Sequence, residues 1–273
     1  MRGMLRVTRR WSVVIALPLA AGGCASAASV TTQQEVQLGA QSAAEINRQI
    51  PIVQNANISN YINQLGNSIA QRADPRGIGY RFYVVNSNQV NAFAIPGGHV
   101  YINRGLIERS SNMSEVASVL AHEIGHVVER HGIEQMTQQQ NASLGVNLAY
   151  ILLGRTPSGV EQAGLQVGAG AFFAKHSREA EREADADAVR FLVQSGINPQ
   201  GMVTMFQKLL AERQRAPSGV AAWFSTHPLE EERVANAQNA INALPAPARQ
   251  GTVNTQAFTT FQQRLRALPA PTQ

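Results

Sequence analysis

The chain is expected to fold as an α+β domain, mainly α-helical, with one small β-sheet set beside a long buried helix. Three observations predict this. Apolar residues recur at helical spacing over most of the chain from residue 32 onward. The one β-branched and aromatic stretch lies between Tyr80 and Ile102. The helical run just after it carries His122-Glu123-Ile124-Gly125-His126 among otherwise apolar residues.

Met1 to Ala20 opens with Arg2, Arg6, Arg9 and Arg10, turns apolar from Trp11 to Ala20, and leads into Ala21-Gly22-Gly23-Cys24. A basic start, an apolar stretch and small residues are the pattern of an export signal. Residues 1–23 are therefore read as a lipoprotein-type signal peptide, with the chain's one cysteine, Cys24, as the lipidated residue. On this reading the protein is periplasmic, tethered to the outer membrane by lipid alone. Cleavage after Ala25-Ser26-Ala27 is the competing reading, and it would release a soluble protein.

Loss of residues 1–23 lowers Lys+Arg from 23 to 19 against 18 Asp+Glu, so the net charge falls from +5 to about +1. No basic patch then favours nucleic acid, and two lysines in the whole chain do not make a polybasic membrane surface. A disulfide framework is excluded, so packing and any bound metal must supply stability. Residues 24–243 are long enough for one well-buried domain, followed by a Pro/Ala-containing tail over 244–273.

Along the domain, 32–50 and 57–73 have helical period (Val36, Leu38, Ile46; Ile58, Ile62, Leu65, Ile69), broken by Ala73-Asp74-Pro75-Arg76-Gly77. Tyr80–Val85 reads as a strand, Asn91–Ile95 as a second, and Pro96-Gly97-Gly98 as a turn into His99–Ile102. Asn112 is a candidate N-cap with Glu115 three residues on, and Val116, Val119, Leu120, Ile124, Val127 and Val128 then recur until Gly132. Thr137–Phe173 is rich in Gly and Ala. Its most apolar piece, Val146–Leu153, is too short to span a bilayer and reads as packed helix. Another helix starts near Ser177 and ends before Gly196. In the tail, Leu244-Pro245-Ala246-Pro247 is echoed by Leu268-Pro269-Ala270-Pro271 around a short helix; the composition is that of a linker, with a docking arm, surface packing and disorder as its alternatives.

H-E-x-x-H on a helix places two imidazoles one turn apart on one face, with a carboxylate beside them. This makes His122 and His126 candidate zinc ligands and Glu123 a candidate general base. Gly125 weakens a helix by about 1 kcal/mol relative to alanine, which suits a place where something must approach closely. His131 lies outside the i, i+4 pair and reads as a capping or surface histidine. Glu179, Glu181 and Glu183 compete as third ligand. Helical phase puts Glu181 with Ala184, Asp185, Ala188 and Leu192 on a small, apolar face, and Glu183 with Asp187, Arg190 and Gln194 on a polar one. Glu179 and Glu183 are therefore read as solvated partners of Arg178 and Arg182. An inward Glu181–Asp185 pair needs a cation or hydrogen-bond partners.

HEIGH, then SREAEREAD about fifty residues later, then Thr226-His227-Pro228, together with Asn91-Ala92-Phe93-Ala94-Ile95-Pro96-Gly97-Gly98 before them, resemble the gluzincin metalloproteases. That family holds the CAAX prenyl endopeptidases, the HtpX peptidases and the periplasmic BepA and LoiP proteases, and the LoiP-like lipoprotein branch resembles this chain most. The resemblance covers roughly residues 32–240. It implies a zincin (gluzincin) fold, a Zn2+ cofactor held by His122, His126 and Glu181, and Glu123 as the catalytic residue. It puts Asp185 and Arg233 behind the ligands, and makes His227 either an oxyanion donor or a fourth ligand that closes the resting site. It also implies that Asn91, Ala92, Phe93, Ala94 and Ile95 bind an extended substrate by strand addition. The expected function is zinc-dependent cleavage of unfolded or misassembled envelope proteins, with the outer-membrane assembly machinery as a partner. The alternative is a largely latent, chaperone-like assembly factor.

Overall fold

The computed structural model describes residues 30–140, 176–228 and 231–271. The expected signal peptide, Cys24 and residues 141–173 of the Gly/Ala-rich segment, with Val146–Leu153, lie outside them.

Each helix begins or ends where local chemistry requires it. α1 (Thr32–Gln49) opens with a capping box in which Thr31 accepts from the Gln34 amide and Gln34 returns a bond to Thr31. α2 (Ala56–Ala73) is capped by Asn55, whose side chain accepts from the amides of Asn57 and Ile58. The phase of α2 follows the sequence expectation, with Ile58, Ile62, Leu65 and Ile69 buried. That of α1 does not: its buried face is Glu35, Gly39, Ala43 and Ile46, and Val36 is exposed. A carboxylate takes the inward place because two arginines meet it there.

The sheet has the order β1-β3-β2, with β1 (Arg81–Val85) parallel and β2 (Ala92–Ile95) antiparallel to the central β3 (His99–Asn103). The register pairs Ala92 with Ile102 and Ile95 with His99. The Pro96-Gly97-Gly98 turn closes this hairpin, with both glycines at positive φ (79° and 84°), the left-handed backbone that favours glycine. Among the described residues β2 pairs with β3 alone, so it is an edge strand.

A short helix α3 (Arg104–Arg109) leads into α4 (Met113–Val128), the buried axis of the fold. Asn112 caps α4 by accepting from the Glu115 amide at 3.1 Å. The helix ends at Val128, before the expected Gly132, because Arg130 turns the chain at φ 60° and α5 (His131–Gln140) starts a new direction. Around α4 lie α2, β2, β3, α6 (Arg178–Gln194) and α7 (Gln200–Arg215), followed by α8 (Pro217–Thr226) and α9 (Glu231–Ala243). Leu120, Ile124, Ala188, Leu192, Phe206 and Trp223 are buried in one continuous core.

The proline-rich C-terminal segment contains a 3-10 turn (Ala246–Arg249) and α10 (Gln256–Arg266). α10 buries Phe258, Phe261 and Leu265 against α2 and α3, and Tyr61 stacks on Phe261 at 4.5 Å. Arg104 binds the Pro269 carbonyl at 2.7 Å. The short helix expected in this tail is present and packed, because three apolar residues at i, i+3 and i+7 are enough to seat it. Among the described residues no helix is long and apolar enough to cross a membrane.

Candidate metal centre

α4 and α6 pack face to face where the chemistry lies. A Cβ on Gly125 would stand 3.1 Å from the Ala184 Cα, so the glycine between the two histidines is what lets α6 approach. Ser177 starts α6 by accepting from the Ala180 amide, and the phase that follows buries Glu181, Ala184, Asp185, Ala188 and Leu192. Glu181 is thereby aimed at His122 and His126. The third contribution comes from the end of α8. Pro228 disfavours helical backbone at the residue before it, and His227 accordingly leaves the helix (φ −118°, ψ 89°) with its ring turned into the protein.

The donor atoms converge. Nε2 of His122 lies 3.0 Å from Nε2 of His126 and 3.4 Å from Nδ1 of His227. Oε1 of Glu181 lies 3.4 Å from His126 and 3.1 Å from His227. One donor from each of the four residues falls within 4.8 Å of all the others. Donors held at zinc's usual distances in a tetrahedron stand about 3.3 to 3.4 Å apart. Three imidazoles and a carboxylate of this spacing fit such an ion.

Glu123 lies beside the cluster, about 1 % exposed; the Ala94 backbone approaches its carboxylate, whose two oxygens have no side-chain hydrogen bond among the described residues. Its nearest charged neighbour is Nε2 of His227 at 3.5 Å, which is likewise without a hydrogen bond. Polar atoms left open in so buried a place are costly unless something else arrives to bind them. Burial raises the Glu123 pKa, opposed by the charges of His227 and His122. At Glu181 burial pushes the same way, but His227 and Arg233 outweigh it and hold the carboxyl well below its ordinary value. Burial lowers His227, and Glu181 with Glu123 raise it further than that, leaving it above its ordinary value.

Behind the donors stands a second layer. Nδ1 of His122 faces Oδ1 of Asp185 at 2.9 Å. Arg233 grips Asp185 in a two-pronged bond, 2.7 Å at each oxygen, and also binds Oε2 of Glu181 and the Pro228 carbonyl. One guanidinium therefore fixes two carboxylates and the His227-Pro228 corner together. Trp223 stacks on His227 at 4.6 Å and closes its outer side.

Three features were not legible in the sequence. His131, read as a capping or surface residue, is 3 % exposed, with Nδ1 2.9 Å from Nδ1 of His126. Glu183 turns away from Arg182 and meets Nε2 of His131 at 3.0 Å; Arg182 instead pairs with Glu179 and Glu232. His176 stacks flat on His126, ring centres 3.9 Å apart, and burial with the neighbouring His227 charge depresses its pKa to about 3. Its position just ahead of the Ser177 cap was the one available clue. Five of the chain's six histidines thus gather here. Of the expected substrate strand, Ala92–Ile95 is the edge strand β2, packed along α4, while Asn91 lies just before it, fully buried, its carbonyl accepting from the Asn103 amide.

Comparison with known proteins gives this geometry its relatives. The β-barrel assembly-enhancing protease of Yersinia pestis is 34 % identical over 229 residues, 81 % of this chain and 47 % of its own length. Its counterpart in Escherichia coli K12 is 31 % identical with the same coverage, so the chain spans about half the length of these relatives. The metalloprotease LoiP of E. coli K12 is 26 % identical over 79 % of this chain and 83 % of its own length. The model of Peptidase family M48 matches residues 54–241, a span that takes in α2, the sheet and every donor described above, and the chain belongs to that family.

Proposed function

We propose that this chain is a zinc endopeptidase of the bacterial cell envelope, with His122, His126 and Glu181 holding the ion and Glu123 as its general base. The observation that carries the reading is the pairing of a converged, buried donor set with a buried carboxylate that has no side-chain hydrogen bond among the described residues. Zinc bound there supplies Lewis acidity to a substrate carbonyl and lowers the pKa of a water molecule. Glu123 accepts the water's proton and then delivers it to the leaving nitrogen. Its raised proton affinity suits both halves of that task. Arg233 and Asp185 keep Glu181 and His122 from turning away, and the exclusion of bulk water strengthens each of these contacts.

Among the described residues β2 lies at the edge of the sheet, beside the donor helix α4, and Asn91 to Ile95 is the proposed seat for an extended peptide. Strand addition reads backbone rather than side chains, and so selects unfolded or misassembled proteins. Relatives named for β-barrel assembly make outer-membrane proteins and their assembly machinery the substrates and partner to test first. Cys24 is the proposed lipid anchor, and it places the enzyme at the outer membrane.

A second reading has its own observation. Nδ1 of His227 already completes a set of four donors. A site closed in this way rests in a latent state, and the protein would then act mainly as a chaperone-like quality-control factor until substrate displaces the histidine. Degradation of casein or unfolded outer-membrane protein, abolished by a chelator and restored by zinc, supports the peptidase. Binding of those proteins without cleavage at any zinc level rules it out.

A further inference from the structure

The two histidines of α4 are held from behind by different devices. His122 meets a carboxylate directly, Asp185, itself clamped by Arg233. His126 meets another imidazole. Its Nε2 faces the donor cluster, so a neutral His126 with that nitrogen free for metal carries its proton on Nδ1. That proton points at Nδ1 of His131, 2.9 Å away, which must therefore accept it. His131 then keeps its own proton on Nε2, and that nitrogen lies 3.0 Å from Oε2 of Glu183. With Nε2 of His126 kept free, any other placement sets two lone pairs or two hydrogens face to face.

We propose that His131 and Glu183 are positioning residues, forming a relay Glu183–His131–His126 that fixes the tautomer and orientation of His126 for the metal. The inference rests on the reading above that His126 binds zinc through Nε2. Its parts come from separate elements, which argues against accident. His131 is set by the left-handed turn at Arg130 that ends α4 and opens α5. Glu183 is two residues from Glu181 on α6, so one helix addresses both ring nitrogens of the same histidine, one directly and one through His131. His131 is buried, whereas the Glu183 side chain is half exposed, so the relay ends at solvent. A carboxylate acting through an imidazole raises the electron density of the ligand ring less than direct contact would, and the effect of removing Glu183 is accordingly the smaller one.

The test measures zinc affinity by competition with a chromophoric chelator, in the full chain carrying Glu123→Gln to prevent self-digestion. His131→Ala is expected to weaken zinc about 10- to 100-fold. Glu183→Ala should weaken it less, and the double variant no more than His131→Ala alone, because the carboxylate acts only through the imidazole. Glu179→Ala, on the exposed turn beside Arg182, should leave affinity unchanged. In 15N-resolved spectra of the zinc-loaded chain with no substitution in the relay, His126 should be protonated at Nδ1 and His131 at Nε2. This measurement decides the matter even if His131→Ala does not fold. A folded His131→Ala that binds zinc within about twofold of its parent, additive losses in the double variant, or a proton on Nδ1 of His131 would overturn the relay and leave the peptidase reading intact. If the parent takes up no zinc, both readings fall.

Discussion

Two buried ionic regions lie against the same helix, and they are built to opposite rules. Toward the C-terminal end of α4, Glu35 is fully buried and takes Arg130 at 2.8 Å and Arg76 at 3.3 Å. Arg76 also binds Asp74 at 2.7 Å and the Val127 carbonyl at 2.8 Å, while Tyr80 donates to Asp74. Each carboxylate there is answered by protein. At the donor cluster, which adjoins it at His126, Glu123 and Nε2 of His227 have no side-chain hydrogen bond among the described residues. The first region ties α1, the β2–β3 turn and α4 into one piece. The second stores unmet polar groups, held in place by the rigidity that the first helps to supply. A buried charge network tells little about function until its satisfaction is counted.

The contrast can be tested by breaking each region. Glu123→Gln should reduce proteolysis by at least about a hundredfold and leave zinc content and unfolding temperature nearly unchanged. Equal peptidase activity in that variant would remove Glu123 from the chemistry. Glu181→Ala should lose both zinc and activity, and metal analysis separates it from Glu123→Gln. Glu35→Ala should do the reverse. With two arginines left facing each other it should cost about 3 kcal/mol in denaturant unfolding, near the low end for a broken buried pair because Arg130 reaches solvent, while the folded fraction still binds zinc. Zinc loss without loss of stability would show that the two regions are not distinct.

His227→Ala discriminates between its two roles. Loss of turnover by about 2.7 to 4 kcal/mol of transition-state stabilisation, with zinc unchanged, marks an oxyanion donor. Higher activity on unfolded substrate, or self-cleavage, marks a fourth ligand that closes the site. The convergence of Nδ1 with the other donors favours the second outcome.

The smallest expected effect is a pH dependence in the satisfied region. Burial raises the Asp74 pKa, but the bonds from Arg76 and Tyr80 outweigh it and hold the carboxyl below its ordinary value. Stability from a depressed carboxylate is fully present above its unfolded pKa, about 3.9, and is lost as pH falls through the folded value. The Tm difference between the parent and Asp74→Asn should therefore be constant near neutrality and shrink below about pH 4. A difference that grows on acidification would contradict the assignment.

Local chemistry made much of this legible in the chain itself. The cap at Asn112, the helix start near Ser177, the glycine turn after β2, the phase that turns Glu181 and Asp185 inward, and the H-E-x-x-H spacing all depend on residues within a turn or two of each other, where sequence distance and spatial distance agree. Tertiary structure decided the rest. His131 looked superficial because its partners lie on α4 five residues back and on α6 fifty-two residues on. The apolar period of α1 included Val36 and did not point to Glu35, which is buried because the loop at Arg76 and the turn at Arg130 meet it. The tail's composition left linker, docking arm, surface packing and disorder open around a short helix, and only the contacts of α10 with α2 and α3 chose packing. Periodicity tells a residue which way to face along its own helix, but what it faces is fixed only when distant elements pack, and for buried polar groups that partner is what settles their role.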